Sequence, residues 1–164
     1  MSVVEDRLAA IGLAVPPVAP PAGVYVPAVL SGSYVYTSGQ VPLVDGALPY
    51  AGKVGAGVTA EQAYEMARLC ALNALAAVKS VVGDLDRVVR VVKVLGFVAS
   101  APDFTAQPQV VNGASELLGE VFGEAGRHAR SAVGVAALPL DAPVEVEILV
   151  EVRTDTAAEG PAAS

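Results

Sequence analysis

Few side chains in this sequence are suited to chemistry, and the familiar constellations are missing. There is no glycine-rich phosphate loop with its lysine, no Gly-x-Ser-x-Gly elbow and no His-Glu-x-x-His pair. The one histidine, His128, cannot build a multi-histidine metal site and reads as an exposed or partly packed residue in a Gly/Arg-rich turn. The one cysteine, Cys70, falls among the apolar residues of a helix; with no cationic neighbour to lower its pKa, it reads as a structural thiol. Arg130 is of more interest. It stands at the mouth of a strand, after the turn Gly123 to Ala129, and a guanidinium held there can meet a carboxylate through two parallel hydrogen bonds. The plainer reading is a solvated strand-end arginine. Glu145, Glu147 and Glu151 share one side of the last strand, opposite Val144, Val146, Ile148, Val150 and Val152. That glutamate face is either merely wet, or it lines a polar cleft or an oligomer channel, and spacing alone does not choose.

The elements that must position these residues follow from periodicity. Residues 1–13 have apolar positions near helical spacing, and Pro16, Pro17, Pro20 and Pro21 make the next stretch an extended connector. Val24 to Val29 and Ser33 to Thr37 read as strands, the latter carrying the β-favouring run Tyr34-Val35-Tyr36. Residues 42–58 are turn and loop. Thr59 opens the clearest helix: its spacing to Gln62 is that of a capping box, an apolar face from Ala63 to Val78 follows, and Gly83 ends it. Arg87 to Ser100 is rich in valine, whose β-branched side chain loses rotamer freedom in a helix, so the stretch reads as a long strand. A second helix starts near Pro108 and closes at Gly123; strands follow over Arg130 to Leu138 and Val144 to Val152. The order is β-β-α-β-α-β-β, one mixed sheet with two helices on one face. The small polar tail, 154–164, is expected to be disordered.

Composition bounds the partners. The 164 residues fit one domain, and 54% hydrophobic against 16% charged residues is far from the signature of disorder. So much apolar surface on a small domain hints at self-association. A net charge of −7, with ten basic residues spread along the chain, argues against binding DNA and disfavours RNA, both of which are gripped through clustered Lys and Arg. Glu5, Asp6 and Arg7 break any signal-peptide core, and no uncharged apolar run of about 18 residues occurs. A cytoplasmic protein without a membrane partner is the expectation.

Four motifs in order give the sequence a likeness. Thr37-Ser38-Gly39-Gln40-Val41-Pro42 is the first. The run Arg68 to Leu75 and the segment Gly83 to Val89 come next; Ala129-Arg130-Ser131, with Leu138-Pro139 and Val144-Glu145-Val146-Glu147, completes the set. Over about residues 24–152 the chain resembles the RidA/YjgF family of imine and enamine deaminases, also called endoribonuclease L-PSP-like. The resemblance implies a chorismate-mutase-like α/β (α+β) fold, three subunits joined in a central barrel, and a ligand cleft at each subunit interface. It further implies hydrolysis of reactive 2-imino and 2-enamino acids to 2-keto acids and ammonia, with no metal or organic cofactor. In that frame Arg130 binds the carboxylate of a small substrate, Ser38 and Gly39 help hold it, Tyr25 closes the cleft, and Glu145 positions or activates the attacking water. Two alternatives stand beside this: an endoribonuclease, and a non-catalytic metabolite-binding or chaperone-like trimer. The chain departs from the pattern at Ala132, where the family often has cysteine. The family's second-helix asparagine corresponds either to Asn112 or, counted back from Phe122-Gly123, to Ser115. Residues 1–23 form an N-terminal extension.

Overall fold

The computed structural model describes residues 2–21 and 23–154. Its strands are β1 (Ala28–Ser31), β2 (Tyr34–Thr37), β3 (Val88–Ala99), β4 (Ala129–Val135) and β5 (Val144–Val152), and its helices are α1 (Val3–Ala10), α2 (Ala60–Val82) and α3 (Gln107–Phe122). The strands form one sheet in the order β1-β2-β5-β3-β4. Neighbours are antiparallel except β3 and β4, which run parallel and are joined through α3.

Local chemistry explains the boundaries. The Thr59 hydroxyl accepts from the Gln62 N–H and the Gln62 amide oxygen accepts from the Thr59 N–H, so the capping box read from the sequence starts α2. Gly83 ends that helix with φ 79°, a conformation other residues adopt at a cost. In β5 buried valines and Ile148 alternate with half-buried Glu145, Glu147, Leu149 and Glu151, as the period-two pattern requires. Two strand expectations run long. Pairing in the first strand begins at Ala28 rather than Val24, because Pro27 has no N–H to give a ladder. The fourth strand stops at Val135 rather than Leu138, because its partner β3 ends at Ala99.

Helices α2 and α3 cover one face of the sheet, and Leu75, Val78, Val94, Val98, Leu117, Leu118, Val146 and Val150 are fully buried between them. Each such side chain contributes about 1.5–3 kcal/mol relative to exposure. The two helices approach backbone to backbone at Gly113, where an added Cβ would lie 2.0 Å from the Tyr64 carbonyl oxygen. Above that contact Arg68 pairs with Glu120 at 2.6 Å.

The N-terminal segment adds a third helix. Asp86 accepts hydrogen bonds from the Ser2 hydroxyl and the Val3 and Val4 amides at 2.8, 2.8 and 3.0 Å, satisfying donors that the first turn of α1 would otherwise leave open. Val4 and Leu8 are buried against the core, and Arg7 donates to the Val121 carbonyl. Residues 14–21 then run without regular structure along the surface. Apart from Thr154, the expectation for the tail lies outside the described residues.

The opposite face of the sheet is uncovered. Cα partners in a ladder share a face, so Val29, Tyr36 and Leu149 line up across it, as do Val133, Phe97 and Glu145. Val29, Tyr36 and Val133 are 50, 50 and 45% exposed. Among the described residues no helix is long and apolar enough to cross a membrane.

Candidate active site

Arg130 leans away from the open face toward α3. Its Nη1 donates to Asn112 Oδ1 at 2.8 Å and to Ser115 Oγ at 3.1 Å, and its Nη2 to the Pro108 carbonyl at 3.3 Å. Positions 108, 112 and 115 form one stripe of α3, which is why a single guanidinium reaches all three. Asn112 and Ser115 both hold the arginine. A guanidinium has five N–H donors, so Nε–H and one Nη2–H are left without a partner among the described residues.

His128 belongs to the same group. Its Nδ1 lies 2.6 Å from the Gly126 carbonyl oxygen, which can only accept, so Nδ1 carries the proton. In the neutral ring Nε2 is then an acceptor and accepts a hydrogen bond from the Ser115 hydroxyl at 2.9 Å. The result is a directed chain, Arg130 to Ser115 to His128 to Gly126, and a serine hydroxyl whose lone pairs face the arginine. Asn112, Ser115, Gly119, Arg127, His128 and Arg130 wall an open depression of about 440 Å³.

The other expected site residues gather elsewhere. Tyr25, Gly39 and Glu145 line a second depression of about 200 Å³, together with Asn73, Pro20 and Leu140. Ser38 does not reach its wall: its hydroxyl donates to the Val26 carbonyl at 2.6 Å and its N–H to the Pro27 carbonyl at 2.8 Å, which ties the segment before β1 to the end of β2. Glycine at position 39 leaves room for the carboxylate, since a Cβ there would lie 1.8 Å from Glu145 Oε1. Glu145 is half-buried, and burial first, then the neighbouring Glu147 carboxylate, pushes its pKa above the ordinary carboxylate value. No hydrogen-bond donor among the described residues reaches its carboxylate. Beside it Leu140 is 67% exposed and, like Asp141, adopts a left-handed φ, 62° and 59° respectively.

One chain does not bring the two depressions together. Glu145 pairs with Phe97, and Arg130 with Val94, three residues back along β3. Side chains alternate along a strand, so an odd separation places Arg130 and Glu145 on opposite faces of the sheet. Cys70 serves neither half. It is fully buried, its thiol approaches the Val144 carbonyl, and burial pushes its pKa up. Among the described residues no cluster of three or more His, Cys, Asp or Glu side chains could hold a metal ion.

The mixed five-stranded sheet backed by helices on one face is of the chorismate-mutase-like class. Residues 5–152 match the model of the family described as "YjgF/chorismate mutase-like, putative endoribonuclease", and the chain belongs to that family. It is 49% identical over 159 residues to protein TCP17 of Trypanosoma cruzi, covering 93% of this chain and 99% of that one. Among solved structures it is similar to the protein Atu1372 of Agrobacterium tumefaciens, of unknown function, with 47% identity, TM-score 0.86 and coverage of 92% and 93% of the two chains. It also resembles Escherichia coli TdcF with bound serine, at 28% identity, TM-score 0.60 and coverage of 85% and 94%.

Proposed function

We propose that this protein hydrolyses reactive 2-imino and 2-enamino acids to 2-keto acids and ammonia, as a homotrimer whose sites lie between subunits. The observation that carries the reading is Arg130. Three of its donors are spent on α3, and two remain for a ligand oriented by a carboxylate. The serine bound to TdcF, a relative at 28% identity, carries the α-carboxylate such a site would take.

In this mechanism Arg130 binds the substrate carboxylate and sets the C2=N bond facing Glu145 of a neighbouring copy. The water oxygen adds to C2 of the protonated imine while one water proton passes to the Glu145 carboxylate. The resulting carbinolamine takes that proton on nitrogen; the C–N bond then breaks as Glu145 accepts the hydroxyl proton, C2 becomes the ketone, and ammonia leaves, taking that proton from Glu145 as ammonium. A carboxylate with a raised pKa is the better base for this transfer. Iminium hydrolysis is fast in water, so orientation and one base suffice. Association through the open sheet face would bury Val29, Tyr36 and Val133 and would supply Tyr25, Gly39 and Glu145 from a second copy. An endoribonuclease is less well supported: both nitrogens of the one histidine are engaged within the chain, and the net charge is −7.

The test is ammonia release from 2-iminopropanoate generated in situ, beside RNA cleavage, for wild type and Arg130→Ala. The proposal expects ammonia release that Arg130→Ala abolishes, and no RNA cleavage. Imine hydrolysis no faster than in buffer would overturn it.

A further inference from the structure

Beside the depression at Glu145 lies a larger chamber of about 540 Å³, and Ala19, Pro20, Leu43 and Asn73 line both. Leu69 and Leu72 of α2 form its floor, and the connector from Ala14 to Pro20 forms its roof. That size and apolar lining are typical of small-molecule sites.

The roof is held in place. At one end α1 is fixed to the body through Asp86, and at the other the Ser38 hydroxyl and amide hold the Val26 and Pro27 carbonyls. Between these anchors Pro16, Pro17 and Pro20 fix φ and offer no N–H, so the walls present apolar surface rather than unsatisfied donors. Asn73 is the polar group shared with the Glu145 depression. Its amide donors are both committed, to the Val41 and Leu43 carbonyls at 2.9 and 3.1 Å. The one charge in the lining is Asp45, which disfavours an acidic guest.

We propose that this chamber is a specificity subsite for the substrate's side chain, and that the protein selects 2-imino acids with bulky apolar side chains, branched aliphatic or aromatic. The inference rests on the deaminase reading for its reaction. The reacting carbon sits at Glu145, the carboxylate points to Arg130 of the neighbouring copy, and the side chain enters beneath the connector. The N-terminal extension thus becomes part of the recognition surface.

The experiment compares imines formed in situ from leucine and from alanine by an amino-acid oxidase, using the full chain. Wild type should show kcat/KM about tenfold or more higher for the leucine-derived imine, the order expected for a few methylenes in an apolar pocket. Val18 lies on the half-buried connector, away from the core. Val18→Asp should lower kcat/KM for the leucine-derived imine about tenfold and change that for the alanine-derived imine less than about twofold, because only the larger side chain meets the new charge. Val18→Leu should keep the preference. Equal rates on the two imines in wild type, or an equal loss on both in Val18→Asp, would overturn the subsite. If neither imine is hydrolysed, the deaminase reading has failed, and calorimetry with 4-methyl-2-oxopentanoate and pyruvate decides the chamber separately. Tighter binding of the branched keto acid, lost in Val18→Asp, upholds it; equal or absent binding overturns it.

Discussion

The two halves of the candidate site are built in opposite ways. Around Arg130 three hydrogen bonds fix the guanidinium: α3 supplies an amide oxygen, a hydroxyl and a carbonyl, and His128 fixes the direction of the hydroxyl. Around Glu145 the surroundings are a glycine, prolines, an exposed leucine in a left-handed conformation and a half-exposed tyrosine, and no donor among the described residues steadies the carboxylate. A satisfied network gives a fixed geometry, which suits a group that must hold a ligand in one pose. A desolvated carboxylate without hydrogen bonds keeps a raised pKa, which suits a group that must move a proton. In the proposed mechanism, binding and proton transfer are thus divided between two places, on opposite faces of one sheet.

The comparison breaks first at Arg130. Arg130→Lys keeps the charge but cannot fill two parallel bonds while also reaching Asn112, Ser115 and Pro108. It should lower kcat/KM for imine hydrolysis about ten- to a hundredfold, the equivalent of about 1.5–3 kcal/mol of charge-assisted hydrogen bonding. Unchanged kinetics with a lowered Tm would make the arginine a structural element of the β4–α3 edge.

Gly39→Ala probes the other half. The new Cβ must displace the Glu145 carboxylate, the mobile end of a side chain, so the fold should lose less than about 0.5 kcal/mol while turnover falls about tenfold. A large loss of stability with normal turnover in the remaining folded protein would place the contact in the packing alone.

The pH profile sharpens the same contrast. If Glu145 acts as base, activity rises as it deprotonates, and its raised pKa sets the acid limb of kcat above the range of an exposed glutamate. Glu145→Gln should remove that limb together with most of the turnover, whereas the arginine variants should keep it.

The smallest effect belongs to a region outside both halves. Asp86 is held below its ordinary pKa, chiefly by the hydrogen bond from the Val4 amide. A carboxyl depressed in the folded state stabilises above its unfolded pKa of about 3.9 and loses that contribution as pH falls through the lower folded value. Asp86→Ala should therefore cost about 1 kcal/mol near neutral pH, as loss of a helix cap does, and the difference in Tm from wild type should shrink below pH of about 4. A difference independent of pH would show that the carboxylate does not hold α1.

What was legible in the sequence was local. The capping box at Thr59, the stop at Gly83 and the alternation of β5 rest on neighbouring residues, and each stands where the pattern put it. Arg130 was legible as a candidate because its type suits a carboxylate, but its partners were not. Asn112 and Ser115 looked like competing answers to one question, and only the stripe of α3 facing β4 makes them joint ligands of one side chain. His128 was set aside because a lone histidine has no spacing to read; its role depends on a serine on another element. The docking of α1 was invisible for the same reason, since Asp86 lies more than eighty positions away in the chain. Least legible of all was the placement of Arg130 and Glu145 on opposite faces, which follows only from the registers of β4 and β5 against β3.

That placement supplies the most direct test of the shared site. In the proposed homotrimer, Arg130→Ala and Glu145→Gln would each leave every site incomplete, and the two variants co-expressed would form mixed trimers. If each site takes its arginine from one subunit and its glutamate from the next, about a quarter of the sites in a random mixture carry both native residues. The account predicts that the co-expressed protein recovers imine hydrolysis to about that fraction of wild type, from parents that are separately inactive. Mixed trimers no more active than their parents would contradict it, placing both residues of each site in the same chain.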